Sequence, residues 1–197
     1  MAPEIHPFVI LFASVFTGNI LLTNFLGMCS FISISKDMKS ANGLGLAVTV
    51  VLTITSAANW VVLEYVLIPY NLVVYRYIVF IVVIAATVQM LEMIIDRVSP
   101  ALYMSLGIFL PLITVNCAIL GVALFMQIRE YNFWQTIAFG FGSGLGWWLA
   151  IMALAAIQKK VSRAPVPSGL QGPGITLITI GFMALAFVGF SGMLNVQ

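Results

Sequence analysis

Charged side chains are scarce in this sequence. Only 7% of its 197 residues are Asp, Glu, Lys or Arg, whereas 62% are hydrophobic. A soluble domain carries roughly a quarter charged residues. The shortage of charge therefore excludes an ordinary soluble domain and indicates a chain that lies almost entirely in a membrane.

Cysteine is scarce too, and so are basic residues near the start of the chain. The chain has two cysteines, Cys29 and Cys117, and they are not in a CxxC pair. An iron–sulfur cluster usually takes four cysteine ligands, so the chain cannot hold a complete one by itself. No dinucleotide-binding fingerprint is present. Glu4, without basic residues, precedes the first apolar segment, which is therefore not expected to be a secretory signal.

Long uncharged runs fill most of the sequence. A helix that crosses the ~30 Å hydrocarbon core needs about 20 residues. The runs predict an all-α integral membrane protein with one domain over residues 1–197. We expect six transmembrane helices, near residues 8–31, 41–63, 72–95, 101–125, 134–157 and 174–193.

The basic residues predict the orientation, because short cytoplasmic loops are enriched in Lys and Arg. Only Arg76 and Arg129 lie in loops on one side of the membrane in the predicted topology. The other side holds Lys36, Lys39, Arg97, Lys159, Lys160 and Arg163. Both termini are therefore expected outside the cytoplasm, and the basic loops need no nucleic-acid partner to explain them.

Two halves of three helices, residues 7–97 and 98–197, predict an inverted repeat of the kind found in many transporters. "NGLGLAV" at 42–48 resembles "SGLGWWL" at 143–149. The first run of each half is longer than one crossing requires and contains break-prone residues near its cysteine: Gly27 in one half, Gly107 and Pro111 in the other. We expect helices 1 and 4 to be broken near mid-membrane. Two tilted helices with a kink are the plainer alternative.

The residues themselves leave two roles open for the cysteines. A buried cysteine commonly packs as a small hydrophobe. The alternative is metal ligation, because thiolates bind soft metals and iron–sulfur clusters. A shared cluster would need two further cysteines from a partner, and such a cluster at mid-membrane would relay electrons.

Five segments resemble the NqrE/RnfA family of membrane subunits over essentially the whole chain. They are "NILLTNFLGMCSF", "LGIFLPLITVNCAILG", "YNF", "GFGSGLGWWLA" and "VPSGLQGPGIT". The family serves Na+-translocating NADH:quinone reductases and, through its RnfA members, the Rnf complexes that link ferredoxin oxidation to NAD+ reduction. The glycine-rich segments and "GMCSF" are more similar to the quinone-reductase branch, and "IPYNLVVYRYIVFIVVIAA" has some similarity to Rnf.

The resemblance implies a role in electron transfer. A homologous D-type subunit of opposite orientation is expected to supply two cysteines. Together with Cys29 and Cys117 they would bind one intramembrane iron centre, either [2Fe–2S] or another centre with four cysteine ligands. The A, B, C and F subunits are the further expected partners, and FAD, FMN and riboflavin are expected on other members of the complex. The complex would couple electron flow from NADH to ubiquinone to Na+ export across the bacterial inner membrane.

Residues around the cysteines are candidates to support such a centre. Broken helices can direct backbone N–H groups at cluster sulfurs. We expect residues 25–30 and 112–118 to do so, with supporting roles for Gly27, Asn24, Asn116 and Pro111. The alternative for the asparagines is that they satisfy carbonyls of the broken helices.

Glu92 and Asp96 are the candidates for Na+ uptake. They lie four residues apart, and so on one helix face, at the predicted cytoplasmic end of helix 3. A carboxylate inside a membrane helix is a functional candidate, and hard cations prefer oxygen ligands. An interfacial ion pair with basic residues is the alternative.

Two other functions remain open for the whole chain beside that of an electron-transfer subunit. One is a stand-alone inverted-repeat transporter, and the other is a membrane scaffold with inert cysteines.

Overall fold

Helices make up the fold in a computed structural model that describes residues 6–98, 110–165 and 167–189. Within these ranges no β-strand occurs, so the predicted all-α class is confirmed. The α-helices are α1 Pro7–Val15, α2 Ile20–Asn24, α3 Met28–Ile34, α4 Met38–Val62, α5 Arg76–Val98, α6 Leu110–Thr114, α7 Cys117–Ile128, α8 Phe133–Val161 and α9 Pro173–Val188. A π-helical turn, Leu63–Leu67, extends α4, and short 3-10 turns cover Val73–Tyr75 and Ser168–Leu170.

Three described helical segments are long and apolar enough to cross a membrane: Met38–Leu67, Val73–Ile94 and Phe133–Val161. Leu112–Ile128 and Pro173–Val188 are shorter apolar helices. These segments fit the second to sixth predicted spans. Residues 101–109 and 190–193, at the edges of two predicted spans, lie outside the described residues, and the six-span inverted repeat stays a prediction.

The first predicted span is not one helix but three, α1, α2 and α3. Asn19 caps the start of α2 after α1 has ended, because its side-chain oxygen accepts hydrogen bonds from the N–H groups of Leu21 and Leu22. The second interruption contains two residues in the left-handed conformation, Phe25 with φ 55° and Gly27 with φ 85°. The expected break before Cys29 is thus present.

The fourth predicted span is interrupted as well, between α6 and α7. Asn116 has an extended backbone and caps α7 through a 3.0 Å hydrogen bond from the N–H of Ala118. Pro111 lies within α6, before this break. Both cysteine-bearing runs therefore contain a restart of the helix at or just before the cysteine.

The pair α4 and α8 forms the most extensive helix contact and carries much of the core. Small residues allow this close approach. A Cβ on Gly144 would come within 2.7 Å of the Thr49 backbone, and one on Gly45 would overlap the Trp148 ring. The two stretches whose similarity suggests a repeat, 42–48 and 143–149, thus pack against each other.

Polar contacts hold the first break against the middle of α8 and cap the start of α4. Asn19 donates to the Gly146 carbonyl at 2.8 Å, which ties the first break to α8. At the start of α4, Asp37 accepts hydrogen bonds from the Ser40 side chain and backbone, and these bonds hold the pKa of its carboxyl below its usual range. The first break is consequently held against α8.

Candidate functional site

The two cysteines lie at the starts of two helices. Cys29 is the second residue of α3 and Cys117 is the first residue of α7. Both thiols are free and exposed at the surface of the chain. A cysteine that serves only as a small packing residue is usually buried. Their exposure therefore favours the ligand role that the sequence left open.

A hydrogen bond brings the two breaks together. The backbone N–H of Gly27 donates to Sγ of Cys117 over 3.0 Å, although the residues are 90 positions apart. Cys29 follows Gly27 by two residues, so its backbone lies close in sequence to the residue that bonds to Cys117. Gly27 thus provides a backbone donor of the kind expected from residues 25–30.

Gly27 occupies a position that requires glycine. Its φ of 85° is rarely adopted by residues with a side chain. A Cβ there would also lie 2.7 Å from Nε1 of Trp147, 3.1 Å from Oδ1 of Asn116 and 3.2 Å from Cβ of Ala118. The conformation and the close neighbours together aim the Gly27 N–H at Cys117.

A buried hydrogen-bond network supports the same glycine from its other end. Nδ2 of Asn116 donates to Oγ of Ser30 at 3.2 Å, and that hydroxyl donates to the Gly27 carbonyl at 3.1 Å. Asn116 and Ser30 are almost completely buried. The network joins the two cysteine-bearing helices, α3 and α7, by buried hydrogen bonds.

The predicted supporting residues separate into two groups. Gly27 and Asn116 are part of the site. Asn24 is exposed at the last residue of α2 and takes no part in the hydrogen bonds described above. Ser30 and Trp147 are members that the sequence did not single out. No local pattern marks either residue, because each is defined by partners from another helix.

The candidate sodium-uptake residues lie apart from this network, in the last turns of α5. Glu92 is half-buried and Asp96 is exposed. Throughout the described part of the chain, no group of three or more His, Cys, Asp or Glu side chains could hold a metal ion. Neither the cysteines nor the carboxylates make a complete metal site within these residues.

Comparisons with known proteins agree with the membrane architecture. The family model described as "Rnf-Nqr subunit, membrane protein" matches residues 8–194. The chain is 55% identical over 186 residues to the E subunit of the Na(+)-translocating NADH-quinone reductase of Yersinia enterocolitica, with 91% of this chain and 94% of the relative covered. Identity to the protein of the same name in Proteus mirabilis is 53% over 186 residues, which covers 91% of this chain and 94% of the relative. Identity to that of Photorhabdus laumondii is 54% over 193 residues, which covers 94% of this chain and 98% of the relative.

Proposed function

The chain belongs to the Rnf-Nqr family of membrane-protein subunits, and from this we propose that it is the E-type subunit of a Na+-translocating NADH-quinone reductase. Its similarity to subunits of that name extends over nearly the whole length of both partners. Such a subunit is not catalytic alone. It contributes to electron flow from NADH to ubiquinone that is coupled to Na+ export across the bacterial inner membrane.

The chain's own part in this proposal is to supply half of an intramembrane iron–sulfur centre. The observation that carries it is the 3.0 Å hydrogen bond from the Gly27 N–H, two residues before Cys29, to the sulfur of Cys117, with both thiols free and exposed. Thiolates suit iron–sulfur clusters, and N–H donors to sulfur help set their potentials. The residues present therefore fit such a group, which when bound provides a one-electron relay.

Two cysteines are half of the usual four-ligand set. The remaining two would come from a homologous D-type subunit of opposite orientation that covers the exposed thiols. Apolar side chains next to the breaks fit such a covered surface: Phe25 is 53% and Val115 is 74% exposed in the single chain. NADH, FAD, FMN, riboflavin and quinone would be bound by other members of the complex, among its A, B, C and F subunits.

Within the site, the chain's residues hold the sulfurs and stabilise their negative charge. The Gly27 N–H donates to Cys117, and the Asn116–Ser30 network holds Gly27 and the start of α7 in register. A buried negative charge without a donor would be costly. This arrangement fits sulfur ligands whose charge changes during electron transfer.

Iron analysis of the intact complex tests the proposal. We expect Cys29→Ala and Cys117→Ala each to abolish the iron signal of the membrane centre in EPR and to abolish quinone reduction. NADH oxidation by an artificial acceptor at the peripheral flavin should persist. Ser162→Ala, a change of similar size at an exposed residue beyond α8, should retain full iron content. Retention of the membrane iron in both cysteine variants would contradict the proposal.

Two alternatives are separated by co-expression with candidate partners. An A-type subunit of an Rnf complex would also bind iron but would assemble with ferredoxin:NAD+ oxidoreductase subunits; the relatives' names favour the quinone reductase. A stand-alone transporter would show no thiolate-bound iron with any partner. Expression of this chain alone should give no iron signal, because half of the ligand set is then missing.

A further inference from the structure

Trp147 has an unusual environment in α8. Its side chain is completely buried, and its ring meets Phe31 edge-on at 6.4 Å between centroids. Its indole N–H has no hydrogen-bond partner among the described residues. Burying an N–H without a partner costs free energy that a phenylalanine at the same place would avoid.

Two other tryptophans of the chain do have partners. Trp148, the next residue, donates to Oδ1 of Asn42 at 3.1 Å, and Trp60 donates to the Tyr131 carbonyl at 2.9 Å. The missing partner distinguishes Trp147 from both. A buried donor without a protein partner calls for an explanation, such as strain, a bound species or a functional role.

The position of this donor suggests the role. Nε1 of Trp147 is the atom nearest to the point where a Cβ of Gly27 would lie, at 2.7 Å. Oδ1 of Asn116 lies 3.1 Å from the same point. The indole edge therefore covers the α-carbon of the residue whose N–H donates to Cys117. Nε1 of Trp147 thus lies beside the residue that bonds to that sulfur.

We propose that Trp147 is a positioning residue for the Cys117 sulfur. It holds Gly27 in the left-handed conformation that directs the Gly27 N–H to Cys117, and its own N–H stabilises the negative charge that a reduced centre places there. The inference rests on the proposed iron–sulfur function. It explains why a tryptophan, with an N–H that no described residue accepts, stands at this position.

The charge argument fixes the direction of the effect. Reduction of a bound centre would add negative charge at the sulfurs, and nearby N–H groups would favour that charge. Removal of the Trp147 donor should therefore make reduction harder. The midpoint potential should become more negative while the centre itself remains.

The test uses the whole complex with two changes at residue 147. Trp147→Phe removes Nε1 and part of the ring, and 3-benzothienylalanine incorporated at 147 keeps the indole shape but replaces the N–H by sulfur. Trp148→Phe is the matched control, since its N–H bonds to Asn42 instead. Potentiometric titration followed by EPR gives the midpoint potential, and iron per complex is measured alongside.

We expect the complex with 3-benzothienylalanine at position 147, the isosteric variant, to retain its iron. Its midpoint potential should be more negative than that of the unmodified complex. Trp148→Phe should leave the potential unchanged. If Trp147→Phe loses iron through poor packing, the midpoint potential of the isosteric variant tests the inference. An unchanged potential with the isostere, or equal shifts in Trp147→Phe and Trp148→Phe, would overturn the inference. Absence of the membrane iron signal from the unmodified complex would instead contradict the proposed function.

Discussion

Gly27 donates its backbone N–H to the sulfur of Cys117 at 3.0 Å, across 90 residues of sequence. This bond joins the restart of the first broken span to the restart of the fourth. Within a continuous helix the backbone N–H groups are bonded to carbonyls of the preceding turn, whereas a break frees one to meet a sulfur.

Gly27→Ala is expected to damage the site. The added Cβ would meet Trp147, Asn116 and Ala118, and alanine at a left-handed φ costs about 1–2 kcal/mol. We expect a lower unfolding temperature and loss of most membrane iron, measured by thermal unfolding and iron analysis of the complex.

Gly169→Ala is the matched control for that change, because a Cβ at Gly169 would have no neighbour within 4 Å. It should leave iron content and unfolding temperature unchanged. A Gly27→Ala complex with normal iron content would contradict the role assigned to the Gly27 conformation.

Asn116→Ala should destabilise α7 and the site together. The change removes the cap on the Ala118 N–H and the bond to Ser30, and loss of a helix cap costs about 1 kcal/mol. We expect reduced stability and a shifted EPR spectrum of the membrane iron.

Asn132→Ala provides the comparison, since Asn132 caps α8 through a capping box. Its loss should lower stability by a similar amount and leave the EPR spectrum unaltered. Identical spectral changes in the two variants would show that Asn116 acts through general stability alone.

Glu92→Gln tests the predicted uptake of sodium. If the half-buried carboxylate attracts Na+, removing its charge should raise the Na+ concentration for half-maximal quinone reduction several-fold. Steady-state turnover over a range of Na+ concentrations measures this. The exposed Glu64, in the π-helical turn, gives a charge-matched control as Glu64→Gln. An unchanged sodium dependence in Glu92→Gln would remove Glu92 from the pathway.

The orientation can be tested by reporter fusions. The six basic residues on one predicted side, against two on the other, predict that both termini lie outside the cytoplasm. Alkaline phosphatase fused after Gln197 should be active and a fluorescent protein there dark. Fusions after Arg163 should behave in the opposite way. A bright fluorescent fusion at Gln197 would reverse the predicted topology.

Much of the helical layout followed from the sequence. The uncharged runs located α4, α5, α8 and α9 to within several residues, because apolar length is a local property of the chain. Gly27 and Asn116 were candidates because they stand beside the cysteines in break-prone runs, but the role of Asn116 as the cap of α7 was not predicted. The number of interruptions in the first span was not predicted, because an asparagine such as Asn19 also occurs away from helix starts and a phenylalanine such as Phe25 uncommonly has a positive φ.

The neighbouring residues Trp147 and Trp148 show where local reasoning ends. The first is completely buried behind Gly27, and the second is partly exposed and bonded to Asn42. Residues one apart on a helix point in directions about 100° apart, and only the packing of α8 assigns one of them to the site.

The sequence by itself determined a membrane chain of apolar helices, with two cysteines beside break-prone residues, because hydrophobicity and backbone preferences act over a few residues. Only the tertiary structure decided that Gly27 faces Cys117 and that Ser30, Asn116 and Trp147 surround Gly27. These contacts join residues far apart in the chain, and they arise because α4 and α8 pack closely and hold the broken helices against them.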